Sequence, residues 1–312
     1  RKKISDIEIT PAQLALDPCS ASAVITDVNT GEVRALVTYP SYDNNKFSGT
    51  VDAEYYNKLN NDQSLPLFNN ATQAQKAPGS TFKPIIAVAA LEEGVIGLND
   101  TVNCTGIYKE ITPALRCWIY PGQHGPLDVV HGIQNSCNVF FSEMGHRLSM
   151  DENGNYSPEL GIEKIRKYAS MFGLDETSGI EIAEREPQMT TEKPEASSIG
   201  QGKNSYSNIQ LSRYITAVAN KGTVFKLSLL DKMTDSQGNL LKDFTPEVRS
   251  TIDVKDSTWN AVHTGMRRVI SDGSARKIFS DLEVDIAGKT GTAEEIKNGH
   301  RVNHAFFVSF AP

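Results

Sequence analysis

The chain has 312 residues, of which 39% are hydrophobic and 22% charged, with a formal net charge of −7 at pH 7. That length permits a sizeable buried core, as one large domain or two smaller ones, and the composition is that of an ordinary globular protein rather than a disordered chain. The acidic balance, with no Lys/Arg run or aromatic–basic interleaving to offset it, argues against a nucleic-acid binder; the longest apolar stretch, PIIAVAALEEGVIGL, is broken by two glutamates and too short to span a bilayer.

The sequence opens on RKKISD with no signal-peptide pattern, as expected of a piece of a longer protein, and residues 1–22 read as the remnant of a linker before a domain at 23–312. AVITDVNTGEVRALVT reads as two strands around the turn NTG. The polar stretch from SYDNNKFSGT to about Asn70 reads as surface loop. After Gly79 the period changes to helical, with Phe82, Ile85, Ile86, Val88, Ala89 and Leu91 giving a broadly buried rod that stops at Gly94. Further helices are predicted over residues 128–148, in GIEKIRKYASMFG, in YSNIQLSRYITAVANKG and in STWNAVHTGMRRVI, the last with Ser257 as N-cap. The tail, DIAGKTGTAEEIKNGHRVNHAFFVSFAP, reads as a second hairpin turning at KNG. Strands at both ends with helices between them predict an α+β domain with one antiparallel sheet built from both chain ends and covered by helices.

Four cysteines, Cys19, Cys104, Cys117 and Cys137, form neither a dense disulfide frame nor a metal-ligand spacing. Cys104 and Cys117 flank a loop, which leaves open a bridge in an exported protein; two separate thiols is the favoured reading, and Cys137 reads as a small packed side chain. His300 and His304 share a strand face but have no carboxylate to complete a metal site, so neither a metal nor any other cofactor is expected.

Chemistry enters at APGSTFKP. Ser80 and Lys83 stand one helical turn apart at a helix start. A serine hydroxyl needs a base to become a nucleophile, and both burial and the positive end of a helix favour the neutral lysine amine that can serve as one. Such a Ser-x-x-Lys pair arises by chance about once in a chain this long, and a second one, Ser274 and Lys277, is read as a surface helix cap. What separates them is company. Ser136–Cys137–Asn138 offers a hydroxyl and an amide, and Lys289–Thr290–Gly291–Thr292 offers a cation, two hydroxyls and a glycine that lets a ligand approach the backbone.

The set SxxK, SxN and KTG, in that order, resembles the penicillin-binding protein and serine β-lactamase superfamily. TDVNTGEVRALVTYPSYDNNKF and GQGKNSYSNIQLSRYITAVANKGT are similar to segments of its monofunctional (class B) penicillin-binding proteins, and the likeness runs from about Ala23 to Pro312. Ser207–Asn208 departs from the usual Thr-Pro at a helix start. The family also continues past FAP with a further strand and a closing helix, so the resemblance implies that both are missing here.

It further implies helices on both faces of the sheet and a D,D-transpeptidase acting on peptidoglycan stem peptides. Ser80 would be the nucleophile, Lys83 its base and Ser136 the relay to the leaving amine; Asn138 would orient Lys83 and the substrate amide, and Lys289, Thr290 and Thr292 would hold the terminal carboxylate. The N–H groups of Ser80 and Thr292 would form an oxyanion hole. β-Lactams would acylate Ser80, a membrane glycosyltransferase would be a partner, and the location would be the outer face of the cell membrane. Two alternatives stand beside this: a D,D-carboxypeptidase or β-lactamase on the same scaffold, for which SPELG is a faint echo of a deacylation motif, and a non-catalytic β-lactam sensor.

Overall fold

The computed structural model describes residues 20–297 and 300–312. Cys19, almost all of the linker assigned to 1–22, the tip of the KNG turn and the His300 side chain lie outside the described residues. Strands β1 (Ala21–Thr26) and β2 (Val33–Tyr39) pair antiparallel, so β1 takes in the last residues assigned to the linker. Alternation along the pair turns Val24, Val33 and Leu36 toward a small core with Ile180, Ile209, Phe225 and Leu227. The polar stretch after β2 is not all loop. Asp52 accepts hydrogen bonds from the Glu54 and Tyr55 N–H groups and starts helix α1 (Ala53–Asn60), which buries Leu59.

A single 3-10 turn, Gly79–Phe82, leads into α2 (Lys83–Glu92). Pro84 sits in its first turn, where a missing N–H costs least. Every residue from Lys83 to Leu91 is buried, so this is a central helix rather than an amphipathic surface one. Each fully buried Ile or Val contributes about 1.5–3 kcal/mol relative to exposure.

The next segment was not legible as strands. It forms β3 (Val102–Cys104), β4 (Ile107–Tyr108), β5 (Leu115–Arg116) and β6 (Gly125–Leu127), with β3 paired to β6 and β4 to β5. The helix predicted over 128–148 is two: α3 (Val129–Gln134), capped by Asp128, and α4 (Asn138–Leu148), capped by the Cys137 sulfur. The break has a local cause, since Ser136 adopts φ +49°, which no helix accommodates.

Helix α5 (Pro158–Met171) and the short α6 (Pro194–Ser197) follow, then α7 (Asn208–Ala219). Ser207–Asn208 starts α7 as expected, with the Ser207 N–H donating to the Gln210 side chain. A strand pair, β7 (Thr223–Lys226) with β10 (Glu247–Thr251), carries an exposed hairpin of β8 (Lys232–Thr234) and β9 (Leu240–Asp243). Helix α8 (Asp256–Ser271) is flanked by Lys255, so Ser257 lies inside it and is not its cap. After the short α9 (Arg276–Phe279), β11 (Ala287–Lys297) and β12 (His300–Phe310) form the second terminal hairpin.

The architecture is α+β. Among the described residues β1 pairs as a strand only with β2 and β11 only with β12, but both hairpins pack on α7, which brings them together. Helix α2 packs against α3, α4, α5 and α8 in the main core, while β11 lies against α8 and the Gly79–Phe82 turn. No helix among the described residues is long and apolar enough to cross a membrane.

Candidate active site

Three segments meet at one cleft of about 760 Å³, whose walls include Ser80, Ser136, Asn138, Thr290, Gly291 and Thr292. Ser80 comes from the 3-10 turn that ends in α2. The Lys83 N–H donates to the Ser80 carbonyl, which sets the two side chains one turn apart. The KTG strand is pressed onto this turn. A Cβ at Gly79, already at φ +54°, would stand 2.5 Å from the Thr292 carbonyl oxygen, and one at Gly291 would stand 2.8 Å from Thr81 Cγ2 and 2.9 Å from the Pro78 carbonyl oxygen. Only glycine at both positions allows the backbones of Ser80 and Thr292 to lie side by side.

The two lysines are fully buried. Lys83 Nζ donates to the Ser136 carbonyl oxygen at 2.7 Å, to Asn138 Oδ1 at 2.8 Å and to Ser136 Oγ at 3.3 Å. Lys289 Nζ donates to the same Ser136 Oγ at 2.8 Å and to the Thr290 carbonyl at 2.9 Å. One hydroxyl therefore bridges two amines. The left-handed backbone of Ser136 presents both its carbonyl and its hydroxyl to Lys83, and the Asn138 amide is held by its own bond to the Arg116 carbonyl at 3.1 Å.

Burial pushes the Lys83 amine down to about 8, against the opposing pull of Cys137 and Cys117. Burial, followed by the charge of Lys83, holds Lys289 well below the ordinary lysine value. Among the described residues neither lysine has a carboxylate at ion-pair distance. Two buried amines with no carboxylate beside them leave room for an anion, whose charge would favour the protonated form of Lys289.

Ser274 departs from its reading as a surface cap. It precedes α9 without capping it; its hydroxyl lies 3.1 Å from Thr290 Oγ1 and lines the cleft. Its sequence partner Lys277 is exposed, so this second pair is no nucleophile and base. Sequence reasoning also missed Trp118, which lines the cleft at 61% exposure while its indole N–H donates to the Asn135 carbonyl at 2.9 Å. Glu159 of SPELG lies on a separate groove with Ile111 and Pro194.

Beside Ser136, Cys137 is fully buried, and Cys104, Cys117 and Cys137 are all free thiols. With His124 they bring four donor atoms within 4.8 Å of one another. Their intervals in the sequence form no metal-ligand spacing; the three cysteines and one histidine are brought together by the folding of residues 104–137. The Cys117 thiol is held below its ordinary value by its hydrogen bond with Cys137 and by surrounding backbone N–H groups.

The family profile described as penicillin binding protein transpeptidase domain matches residues 21–312. The chain belongs to the penicillin-binding protein transpeptidase family. Within it, the chain is similar to the peptidoglycan D,D-transpeptidase MrdA of Escherichia coli K12, 31% identical over 94% of this chain and 49% of that protein. It spans about half the length of the curated relatives it matches. Among solved structures of the family, it superposes with a TM-score of 0.84 and 26% identity on a chain described under structural coordination of polymerization and crosslinking by a peptidoglycan synthase complex, covering 100% of this chain and 53% of that one. Pseudomonas aeruginosa PBP2 in complex with WCK 5153 gives 0.78 and 28%, covering 93% and 66%. The penicillin-binding fold thus spans the described chain, from the β1 hairpin to β12.

Proposed function

We propose that the chain is the acyl-transfer domain of a peptidoglycan D,D-transpeptidase, and that the observation carrying this reading is the hydroxyl of Ser136 held between two buried amines beside Ser80. In the reaction, Ser80 Oγ attacks the carbonyl carbon of the penultimate D-alanine and Lys83 takes its proton. The N–H groups of Ser80 and Thr292 receive the developing oxyanion, a role supported by the close approach of their backbones. The scissile C–N bond then breaks. Ser136 passes a proton to the departing D-alanine amine and regains one from Lys83 along the hydrogen bond between them.

The terminal carboxylate of the stem peptide supplies the missing counter-ion. Lys289, Thr290 and Thr292 hold it as a charge-assisted pair, with Ser274 positioning the Thr290 hydroxyl. The peptide lies along residues 289–293 as an added strand, and Asn138 fixes both Lys83 and the substrate amide. An amine from a second stem peptide resolves the acyl-enzyme, forming the cross-link and freeing Ser80. β-Lactams, whose carboxylate and strained amide imitate the same ends, acylate Ser80 and remain.

Glu159 of the SPELG segment lies on another groove, which gives a β-lactamase-type hydrolysis through that residue no support. The site acts on the outer face of the cell membrane, next to a glycosyltransferase that polymerises glycan. That partnership is supported by the described role of the superposed synthase complex. The test is incubation with a stem peptide ending in D-alanyl-D-alanine and a free acceptor amine. Cross-linked amide in excess of hydrolysed peptide is expected; hydrolysis alone would replace the transferase with a carboxypeptidase.

A further inference from the structure

Arg116 ends β5 and Trp118 stands two residues on; both line the cleft, with the buried Cys117 between them. The alternation of an extended chain puts their side chains on the same side. Trp118 is exposed, yet its position is fixed: the indole N–H donates to the Asn135 carbonyl and the ring stands edge-on to His124 at 5.4 Å between centroids. A large apolar ring held rigid and uncovered is a platform that a ligand can cover at little entropic cost.

Arg116 is exposed beside it, with its guanidinium carbon 4.7 Å from the centre of the Tyr120 ring. That contact holds the group by cation–π attraction and uses none of its five N–H donors. Among the described residues no carboxylate lies at ion-pair distance from it. A planar cation placed in this way matches a carboxylate, which takes two parallel hydrogen bonds from it. Glu294 lines the same cleft from β11, so an anion is favoured on the Arg116 wall and disfavoured beyond Thr292.

The part of the substrate that reaches this wall follows from Asn138. Its amide has two N–H groups, and one donates to the Arg116 carbonyl. In the acyl-transfer reading, on which this inference rests, the other holds a substrate carbonyl. The carbonyl of the penultimate D-alanine is turned to the Ser80 and Thr292 N–H groups, so the one on Asn138 belongs to the residue before it. A single amide nitrogen then joins that residue to the Arg116 backbone, and its side chain meets the wall. Lys289 already serves the terminal carboxylate, so Arg116 serves a second anion.

We propose that Arg116 and Trp118 form a specificity subsite for the residue that precedes D-alanyl-D-alanine in the donor peptide, selecting a long side chain that ends in a carboxylate over one that ends in an amine alone. The methylenes of such a side chain lie across the Trp118 ring, and its carboxylate pairs with the Arg116 guanidinium. Neither residue touches the reacting atoms. Both act on binding of the donor, before Ser80 attacks.

The test uses the whole chain and three penicillins that share one linear acyl side chain, ended by a carboxylate, a carboxamide or an ammonium. The bicyclic nucleus and its carboxylate are common to all three, so the ratios of their second-order acylation constants at Ser80 read the subsite alone. The carboxylate compound is expected to acylate roughly tenfold faster than the carboxamide, as for one charge-assisted pair, and the ammonium compound slowest. Arg116→Gln keeps the backbone carbonyl that holds Asn138 and should bring the three constants together; Arg116→Lys should restore part of the preference. Trp118→Ala should slow all three and keep their order. Should Arg116→Gln not fold, the unaltered chain decides, because the carboxylate advantage should shrink as salt rises. Equal constants for the three penicillins, a preference that survives in a folded Arg116→Gln chain, or an advantage indifferent to salt would each overturn the subsite while leaving acylation in place. No adduct from any of the three would instead overturn the acyl-transfer reading, and the subsite with it.

Discussion

A neutral Lys83 amine has two N–H groups and one lone pair. Its two short hydrogen bonds, to the Ser136 carbonyl and to Asn138, use the N–H groups, and the lone pair is then free for the proton of a neighbouring hydroxyl. Because burial lowers this lysine to about 8, the ammonium dominates below that pH and the free base above it. Acylation by a fluorescent penicillin should therefore rise by roughly tenfold per pH unit below that value and level off above it. A flat profile in stopped-flow measurements would remove Lys83 as the base. Lys83→Ala should slow acylation by about 10²–10⁴-fold while circular dichroism stays that of the folded chain, because a buried ammonium is costly and its loss offsets the orphaned acceptors. Ser274 acts more mildly. Its hydroxyl is within hydrogen-bond distance of Thr290 Oγ1, at the cleft wall, so Ser274→Ala should still form the adduct, several-fold more slowly, and unchanged kinetics would deny it the positioning role.

Between elements, the decisive contact is β11 against the Gly79–Phe82 turn. A methyl group at Gly291 would meet Thr81 Cγ2 and the Pro78 carbonyl below van der Waals distance, and overpacking of this kind costs about 1–3 kcal/mol. Gly291→Ala should lower the melting temperature by a few degrees, as expected for a chain of this size at roughly 2–4 °C per kcal/mol, and should lose acylation more severely than stability. Calorimetry alongside labelling checks this. The KTG motif was legible because a lysine, two hydroxyls and a glycine form a distinctive set, and α2 because its apolar run is continuous. The break at Ser136 was not legible. Nothing in SCN signals a left-handed residue, and the apolar period continues across it, so one helix was expected where two stand. The Cys104–Cys137 cluster was hidden for a different reason: its donors are joined by two short ladders whose pairing is tertiary rather than patterned.

At the scale of the molecule, the site is assembled from distant parts of the sequence. Ser80 leads into the central helix, Ser136 stands between α3 and α4, and Lys289 arrives on the C-terminal hairpin. The three are joined through one continuous core that includes α2, α4, α7 and α8. The sequence showed strands at both ends and helices between them; it did not show that α7, rather than a shared ladder, brings the two hairpins together, because side-chain packing leaves no period of its own. A single core predicts cooperative loss: thermal unfolding followed by near-UV circular dichroism should coincide with loss of penicillin labelling, and labelling that disappears well below the structural transition would mean a site that melts separately. Acyl transfer at this site depends on one oxygen atom, Ser80 Oγ. Intact-mass spectrometry with peptide mapping after exposure to benzylpenicillin should find a single persistent adduct on Ser80, absent from Ser80→Ala and present in Ser274→Ala; an adduct that survives in Ser80→Ala, or none on the unaltered chain, would contradict it.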